Sequence, residues 1–355
     1  MRLLSRSKYG NYGPDYPRNR TVLNCLKELG HEIIEFHPRF SETANLESKF
    51  KRFDKIDAVW VPCFRQRDVN AAAKWAKTNS VPLIFDPLIS AYDKQVFERN
   101  KFPADSTKAR KLLAWEKNIF SKADWLIADT ECHKQFFAET FDYPLEQIRT
   151  IPVSAEEQLF FSTTHKQEPS DSDIPEVLFF GTFISLQGAT YIAESIQHYK
   201  GDPIRLCFLG EGPEKQACET IVAAHQNPKV NVTFQSWIPI EQLGDRIQRA
   251  AVCLGVFGVG KKAHRVIPNK VYQSLACNRP LVTLSCDAYP QELQQQRSSG
   301  IYWVKAGEPK EIAAAIEKAV LEHLETTIND RSRKSYVRYF SNHQVKQVLS
   351  ELLSS

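Results

Sequence analysis

The stretch VCLGVFGVGKKAHRVIPNKVYQSLACNRPLVTL, residues 252–284, decides how this chain folds. It opens on the apolar run VCLGVF, crosses a glycine-spaced basic turn, enters the helix-like segment NKVYQSLA and closes on a second apolar run, PLVTL. Apolar runs this short, bounded by Gly and Pro, read as buried parallel strands, and the segment between them as the helix that carries the chain from one to the next. Pro268 forces an extended entry and Asn269 is the expected N-cap, so the first-turn amides point toward the carboxyl ends of the strands. Lys261, Lys262, His264, Arg265 and Lys270 surround those amides. Fixed backbone donors and cations stabilise the same anion, so the turn reads as a diphosphate site, with a solvated basic loop as the competing reading.

The same rhythm runs through the rest of the chain. In the first half HEIIEF, DAVWVP, PLIFD, WLIAD and RTIPV read as strands, separated by the helices YPRNRTVLNCLKEL, VNAAAKWAKT, TKARKLLAWEKNIF and HKQFFAETF. In the second half EVLFFG, IRLCFLG, NVTFQSW, VCLGVF, PLVTLS and IYWVKA alternate with amphipathic helices ending in KEIAAAIEKAVLEHLE. Such alternation defines an α/β fold of two doubly wound, Rossmann-like domains facing across a cleft, with ligands at the carboxyl ends of the strands. A chain of 355 residues suits two cores better than one. The polar, proline-containing stretch from Thr163 to Asp173 is the expected linker, giving domains 1–163 and 174–330. Residues 331–355 have helical spacing with no strand after them and read as a C-terminal helix crossing back to the first domain.

Charge and cysteine usage narrow the function classes. Cations number 46 against 42 anions, too even a balance for a nucleic-acid binder. The eight cysteines stand singly, with no C-x-x-C pair, and read as reduced core thiols of a cytoplasmic protein. No window has the roughly 18 apolar residues of a membrane span, so any membrane contact is expected to be peripheral, at the inner face. No Asp-x-Asp or histidine-rich ligand set is present, and neither a metal nor a cofactor is expected.

Three further loops of the second half follow strands. GTFISLQG, Gly181 to Gly188, lets the backbone approach a ligand at a strand end; GEGP, Gly210 to Pro213, does the same around Glu211. In SWIPIEQL the backbone near Trp237 and Ile238 is placed to read a nucleobase edge, against the simpler reading of a Trp-Pro packing corner. In the first half Asp86 ends PLIFD and is expected to orient a sugar or an acceptor, or else to cap a loop. Asp129 and His133 read as a helix-start region and a surface histidine. The loop SKYGNYGPDYPRNR is expected to face the cleft from the acceptor side and supplies Tyr12, Tyr16 and Arg18, residue types that stack on sugars and bind phosphate, with a plain flexible loop as the competing reading. The helix TKARKLLAWEKNIFSK either covers a sheet or rests on an anionic membrane.

The segment IPNKVYQSLACNRPLVTL resembles the donor-binding motif of the retaining glycosyltransferases of family 4, which have the GT-B fold. The resemblance runs in register through FFGTFISLQG, FLGEGP, FQSWIP and CLGVF and covers the second half; in the first half it rests on PLIFD, ADWLIADT and IRTIPV. It implies transfer of a sugar from a nucleoside diphosphate, of UDP or GDP type, to an acceptor hydroxyl with retention at the anomeric carbon. The acceptor classes it admits are glycans, lipid-linked saccharides and small molecules.

Pro268, Asn269 and Lys270 would then present amides to the donor phosphates, and Gln273 would stand where the family has a ribose-binding glutamate. Arg265 stands where many members carry a second glutamate. Thr182 and Gln187 replace the usual arginine and lysine of the diphosphate clamp, so the expectation is that Arg265 and Lys270, with His264 nearby, supply the missing charge. Asp86, Arg265 and Lys270 are the expected catalytic residues. The alternative is a non-catalytic nucleotide-sugar-binding homologue with a regulatory or scaffolding role. A dehydrogenase is set aside because GEGPEK lacks the final glycine of G-x-G-x-x-G.

Overall fold

The computed structural model describes residues 1–7, 16–41, 43–51, 53–162, 174–325 and 330–354. The chain forms two compact units, Met1–Ser154 with Asn342–Ser355, and Ala155–Ser341. Each is built on a six-stranded, all-parallel sheet.

The first sheet contains β1 (Arg2–Arg6), β2 (Glu32–Phe36), β3 (Ala58–Val61), β4 (Leu83–Phe85), β5 (Trp125–Ala128) and β6 (Ile148–Thr150), in the order β2-β1-β3-β4-β5-β6. Side chains alternate across it, as strand geometry requires. Val59 and Val61 of β3 pack with Phe85 and Leu126 under the helices Gln66–Thr78, Thr107–Phe120 and Glu131–Phe141. Ala58 and Trp60 face the other way, toward Val22 and Leu26 of helix Pro17–Glu28. The helix expected either to cover a sheet or to rest on a membrane, Thr107–Phe120, buries Ile119 and Phe120 in the core with the strand residues Phe85 and Leu126.

The second sheet contains β7 (Glu176–Phe180), β8 (Ile204–Leu209), β9 (Val230–Gln235), β10 (Val252–Leu254), β11 (Leu281–Leu284) and β12 (Ile301–Val304), in the order β12-β11-β10-β7-β8-β9. Val177, Phe179, Phe208, Val252 and Leu254 form its core with Ile192, Ile312 and Ile316 of the covering helices.

Both domain limits differ from the sequence expectation. The linker 163–173 lies outside the described residues, but 155–162 already pack with the second unit. Phe160 is fully buried, and a Cβ on Gly244 would lie 2.1 Å from the Leu159 carbonyl, so only glycine lets this segment settle on helix Ile240–Gln248. The tail is two helices. Arg331–Tyr339 stays with the second unit, where Arg333 donates to the Ala276 carbonyl (3.1 Å) and Ser335 to that of Ser299 (2.7 Å). Asn342–Ser354 packs in the first, through Val345, Leu349 and Leu352 on the face that also holds Leu26 and Trp60. Val345→Ala removes two methyl-sized groups from that contact. At roughly 0.8 kcal/mol per buried CH2 it should cost about 1.5–2 kcal/mol, checked by urea denaturation.

Candidate functional site

In the second sheet the strand order reverses between β7 and β10, and ligands of doubly wound sheets collect at the carboxyl ends beside such a reversal. The chain leaves β7 through Gly181, whose φ of +149° is rarely open to other residues. A Cβ there would come within 2.9 Å of Lys270 Nζ, so the glycine is what allows the lysine to lie across the strand end. Gly210, at the end of β8, fits equally closely: its Cβ would fall 2.1 Å from the Gly181 carbonyl oxygen and 3.2 Å from Cη2 of Trp237. Backbone bonds join the loops, from Phe183 N–H to the Glu211 carbonyl (3.0 Å) and from Phe257 N–H to that of Gln187 (3.1 Å). The loops after β7, β8, β9 and β10 therefore meet at one place.

Lys270 is the second residue of helix Asn269–Ala276. Pro268, extended at φ −69° and ψ 155°, occupies the capping position expected for Asn269, because its ring fixes the entry and Asn269 already has helical geometry. The ladder opens with Val271 N–H bonding the Pro268 carbonyl, which leaves the amides of Asn269 and Lys270 outside it.

The Lys270 side chain is 4% exposed, with Nζ only 3.7 Å from the centroid of the Phe179 ring. Among the described residues Nζ has no hydrogen-bond partner. Burial pushes the ammonium well below the ordinary lysine range, with the Cys253 thiol the one group opposing it. Gln187 Oε1 is also buried without a partner, 3.8 Å from the same Gly181 Cβ position. Buried polar groups are nearly always satisfied in folded proteins, so two unsatisfied ones converging on a strand end mark a place built for something else to complete.

The other second-unit residues surround this centre. Gln273 is buried one turn after Lys270 on the same helical face. Arg265 is half-buried and closes the turn Lys261–His264 through its N–H to the Lys262 carbonyl; His264 is half-buried beside it. Thr182 is exposed, Ile238 half-buried, and Trp237 is 51% exposed with its ring edge against Gly210. Glu211 is held by Lys215 at 2.8 Å, and this bond, helped by Ser236, keeps its carboxyl below the usual range.

In the first unit Asp86 follows β4 but is 1% exposed, with Oδ2 2.9 Å from Arg18 Nε. Arg18 is fully buried and also donates to the carbonyls of Ile151 (3.0 Å) and Pro152 (2.6 Å). Burial raises the Asp86 carboxyl and Arg18 opposes the rise. Asp86 and Arg18, expected separately as a sugar-orienting and an acceptor-side residue, thus form one buried ion pair bracing the exit of β6. Tyr16 caps helix Pro17–Glu28 and meets the Phe64 ring edge-on; Tyr12 lies outside the described residues. His133, expected at the surface, is 1% exposed, bonded to Asp129 Oδ1 (2.6 Å) and packed on the Phe137 ring, while Thr130 caps its helix.

Sequence reading passed over Arg6, which closes β1 at the reversal point of the first sheet. It is fully buried, with Nε and Nη1 unpartnered among the described residues, and burial lowers its guanidinium to about 10. A charged residue closing the short, mostly buried strand RLLSR was the signal.

Comparison with known proteins agrees with this architecture. The structure of HepE from Anabaena in complex with UDP superposes with a TM-score of 0.70 at 13% identity, covering 100% of both chains. A glycosyltransferase from Rickettsia africae gives 0.64 at 13% identity over 99% of this chain and 97% of that one. The lipopolysaccharide outer core galactosyltransferase WaaB gives 0.61 at 10% identity over 99% and 98%. The class is thereby defined: an α/β protein of two parallel-sheet units with the fold of GT-B glycosyltransferases. Within it, residues 174–322 match the family model described as glycosyl transferases group 1, a region that lies inside the second unit and holds every loop of the candidate site. No curated protein matches the chain.

Proposed function

We propose that the protein is a retaining glycosyltransferase that moves a hexose from a nucleoside-diphosphate donor, of UDP type, to a hydroxyl of a glycan, lipid-linked or small-molecule acceptor. Lys270 carries this reading. A diphosphate at the end of β7 supplies the anion that its buried, unpartnered ammonium lacks, while the amides of Asn269 and Lys270 donate to the same oxygens. The nucleotide complexes of HepE support the choice of base.

In the reaction the bond between the anomeric carbon and the donor phosphate oxygen breaks, and negative charge grows on the departing diphosphate. Lys270 and the helix amides stabilise that charge where water is largely excluded, and Arg265 adds a second cation at the rim. Trp237 and Ile238 border the base, and Gln273 offers an amide to the ribose diol without a carboxylate's charge. Lys270 thus takes over the charge that a clamp through positions 182 and 187 would have carried.

The test is a thermal-shift screen against UDP, GDP and their sugars. A ligand at about 100 times its Kd should stabilise the protein by roughly 2.7 kcal/mol. UDP and a UDP-sugar should shift the native protein and fail to shift Lys270→Met. Absence of a shift with every nucleotide defeats the proposal, and binding without turnover across acceptors favours a regulatory homologue.

A further inference from the structure

The first unit holds a groove of about 1010 Å3 that no part of the proposed reaction uses. Its floor is one stripe of helix Gln66–Thr78, where Arg67, Ala71, Lys74, Trp75 and Thr78 recur at the helical spacing. Helix Ala44–Phe50 forms one wall through Leu46 and Lys49, and helix Thr107–Phe120 the other through Leu112 and Trp115.

Two features of the lining point to an occupant. Two indoles and two leucines make it apolar, and Leu46 is 59% exposed at its edge, with Phe50 89% exposed one turn on. Among the described residues its three charged ones, Lys49, Arg67 and Lys74, are all cations, and none makes an ion pair there. Two further cations bond to lining residues: the buried Arg6 donates to Asn45 Oδ1 and Lys122 to Asn70 Oδ1, both at 2.6 Å. A neutral saccharide would leave this charge unanswered, and a small inorganic anion would leave the apolar wall wet. An anionic head on an apolar chain satisfies both.

We infer that this groove binds an anionic amphiphile, a phosphate ester whose head is held by Lys49, Arg67 and Lys74 and whose chain lies along Leu46, Trp75, Leu112 and Trp115. The site is independent of the donor reading, because it lies wholly within the first unit. Arg67 and Lys74 stand two helical turns apart, about 10 Å along the axis, so the head enters between them. Arginine suits the bidentate geometry of a phosphate.

Trp75 and Trp115 report occupancy through their emission. Decyl phosphate, added below its micelle concentration, should bind at least about tenfold more tightly than decyl maltoside or inorganic phosphate, a difference of about 1.4 kcal/mol. The variant K49E/K74E, which changes two exposed side chains and should keep the native circular dichroism, should lose that preference. Equal affinity for the maltoside, equal affinity for inorganic phosphate, or unchanged binding in K49E/K74E would each overturn the inference. Vesicles of phosphatidylcholine with and without phosphatidylglycerol then identify the source. Sedimentation with the anionic vesicles alone assigns a bilayer lipid, and decyl phosphate binding without sedimentation assigns a soluble phosphate ester.

Discussion

Replacing Lys270 with methionine is expected to slow sugar transfer about 100-fold and, in the same protein, to raise resistance to unfolding. The first effect follows from removing one preorganised charge at a departing diphosphate, where loss of a single donor typically costs 100-fold or more. The second follows from burial: an ammonium with no hydrogen-bond partner among the described residues, answered there by the faces of the Phe179 and Phe180 rings, is destabilising, and an apolar side chain of similar length fills the same space without that penalty.

The pH dependence has a definite sign. In the unfolded chain the lysine titrates near 10.5, and in the fold burial lowers it. Between the lowered value and 10.5 the unfolded chain binds the extra proton, so native stability rises as pH increases through that window and falls as pH drops. The advantage of Lys270→Met is thus fully present below the folded value and vanishes as pH approaches 10.5. A diphosphate reverses the balance by favouring the ammonium, so at a pH above the lowered value, where the free protein holds the neutral amine, donor binding draws in a proton. Calorimetry in buffers of different ionisation heat should show that uptake in the native protein and none in Lys270→Met. A variant that loses stability while keeping its turnover would assign Lys270 to the scaffold and sink the donor site with it.

Asp86→Ala is expected to cost about 3–5 kcal/mol, because it leaves the Arg18 guanidinium charged and buried with, among the described residues, two carbonyls and the more distant Asp129 to answer it. The double variant Arg18→Met with Asp86→Leu should recover most of that loss, since the penalty lies in the uncompensated charge. Chemical denaturation of the two proteins measures the difference. The paired variant also isolates chemistry from folding. With stability restored, turnover within about threefold of native identifies the ion pair as a brace, whereas a loss beyond about tenfold would return Asp86 to the sugar.

The alternation of apolar runs and amphipathic segments located every strand after β1 and most helices, because buried parallel strands and their crossovers are local patterns. NKVYQSLA matches its helix residue for residue, and TKARKLLAWEKNIF does too. The position of Lys270 was legible for the same reason, since strand, turn and helix start are adjacent in the chain. Its burial was not, because that depends on Gly181, far away in sequence, lacking a side chain. Asp86 and Arg18 looked like separate polar residues for a like reason: 68 positions divide them, and only the folded sheet brings them together. His133 was misplaced because one helical turn of HKQFFAETF faces Phe137 and Asp129 together, which a spacing argument cannot rank. Short helices such as Ala44–Phe50 and Gln291–Gln295 are too brief to show a period.

Helix Asn342–Ser354 has a consequence for how the protein is made. The ribosome delivers residues 1–154 well before Val345, Leu349 and Leu352, yet their hydrophobic face awaits those three side chains. The unit begun before the other is therefore completed after it, and residues 155–341 can reach their native packing while residues 1–154 still wait for helix Asn342–Ser354. A fragment cut after Ser154 would leave the apolar surface of helix Pro17–Glu28 without these partners, so a stop codon just before Asn342 damages a unit built almost two hundred residues upstream of it.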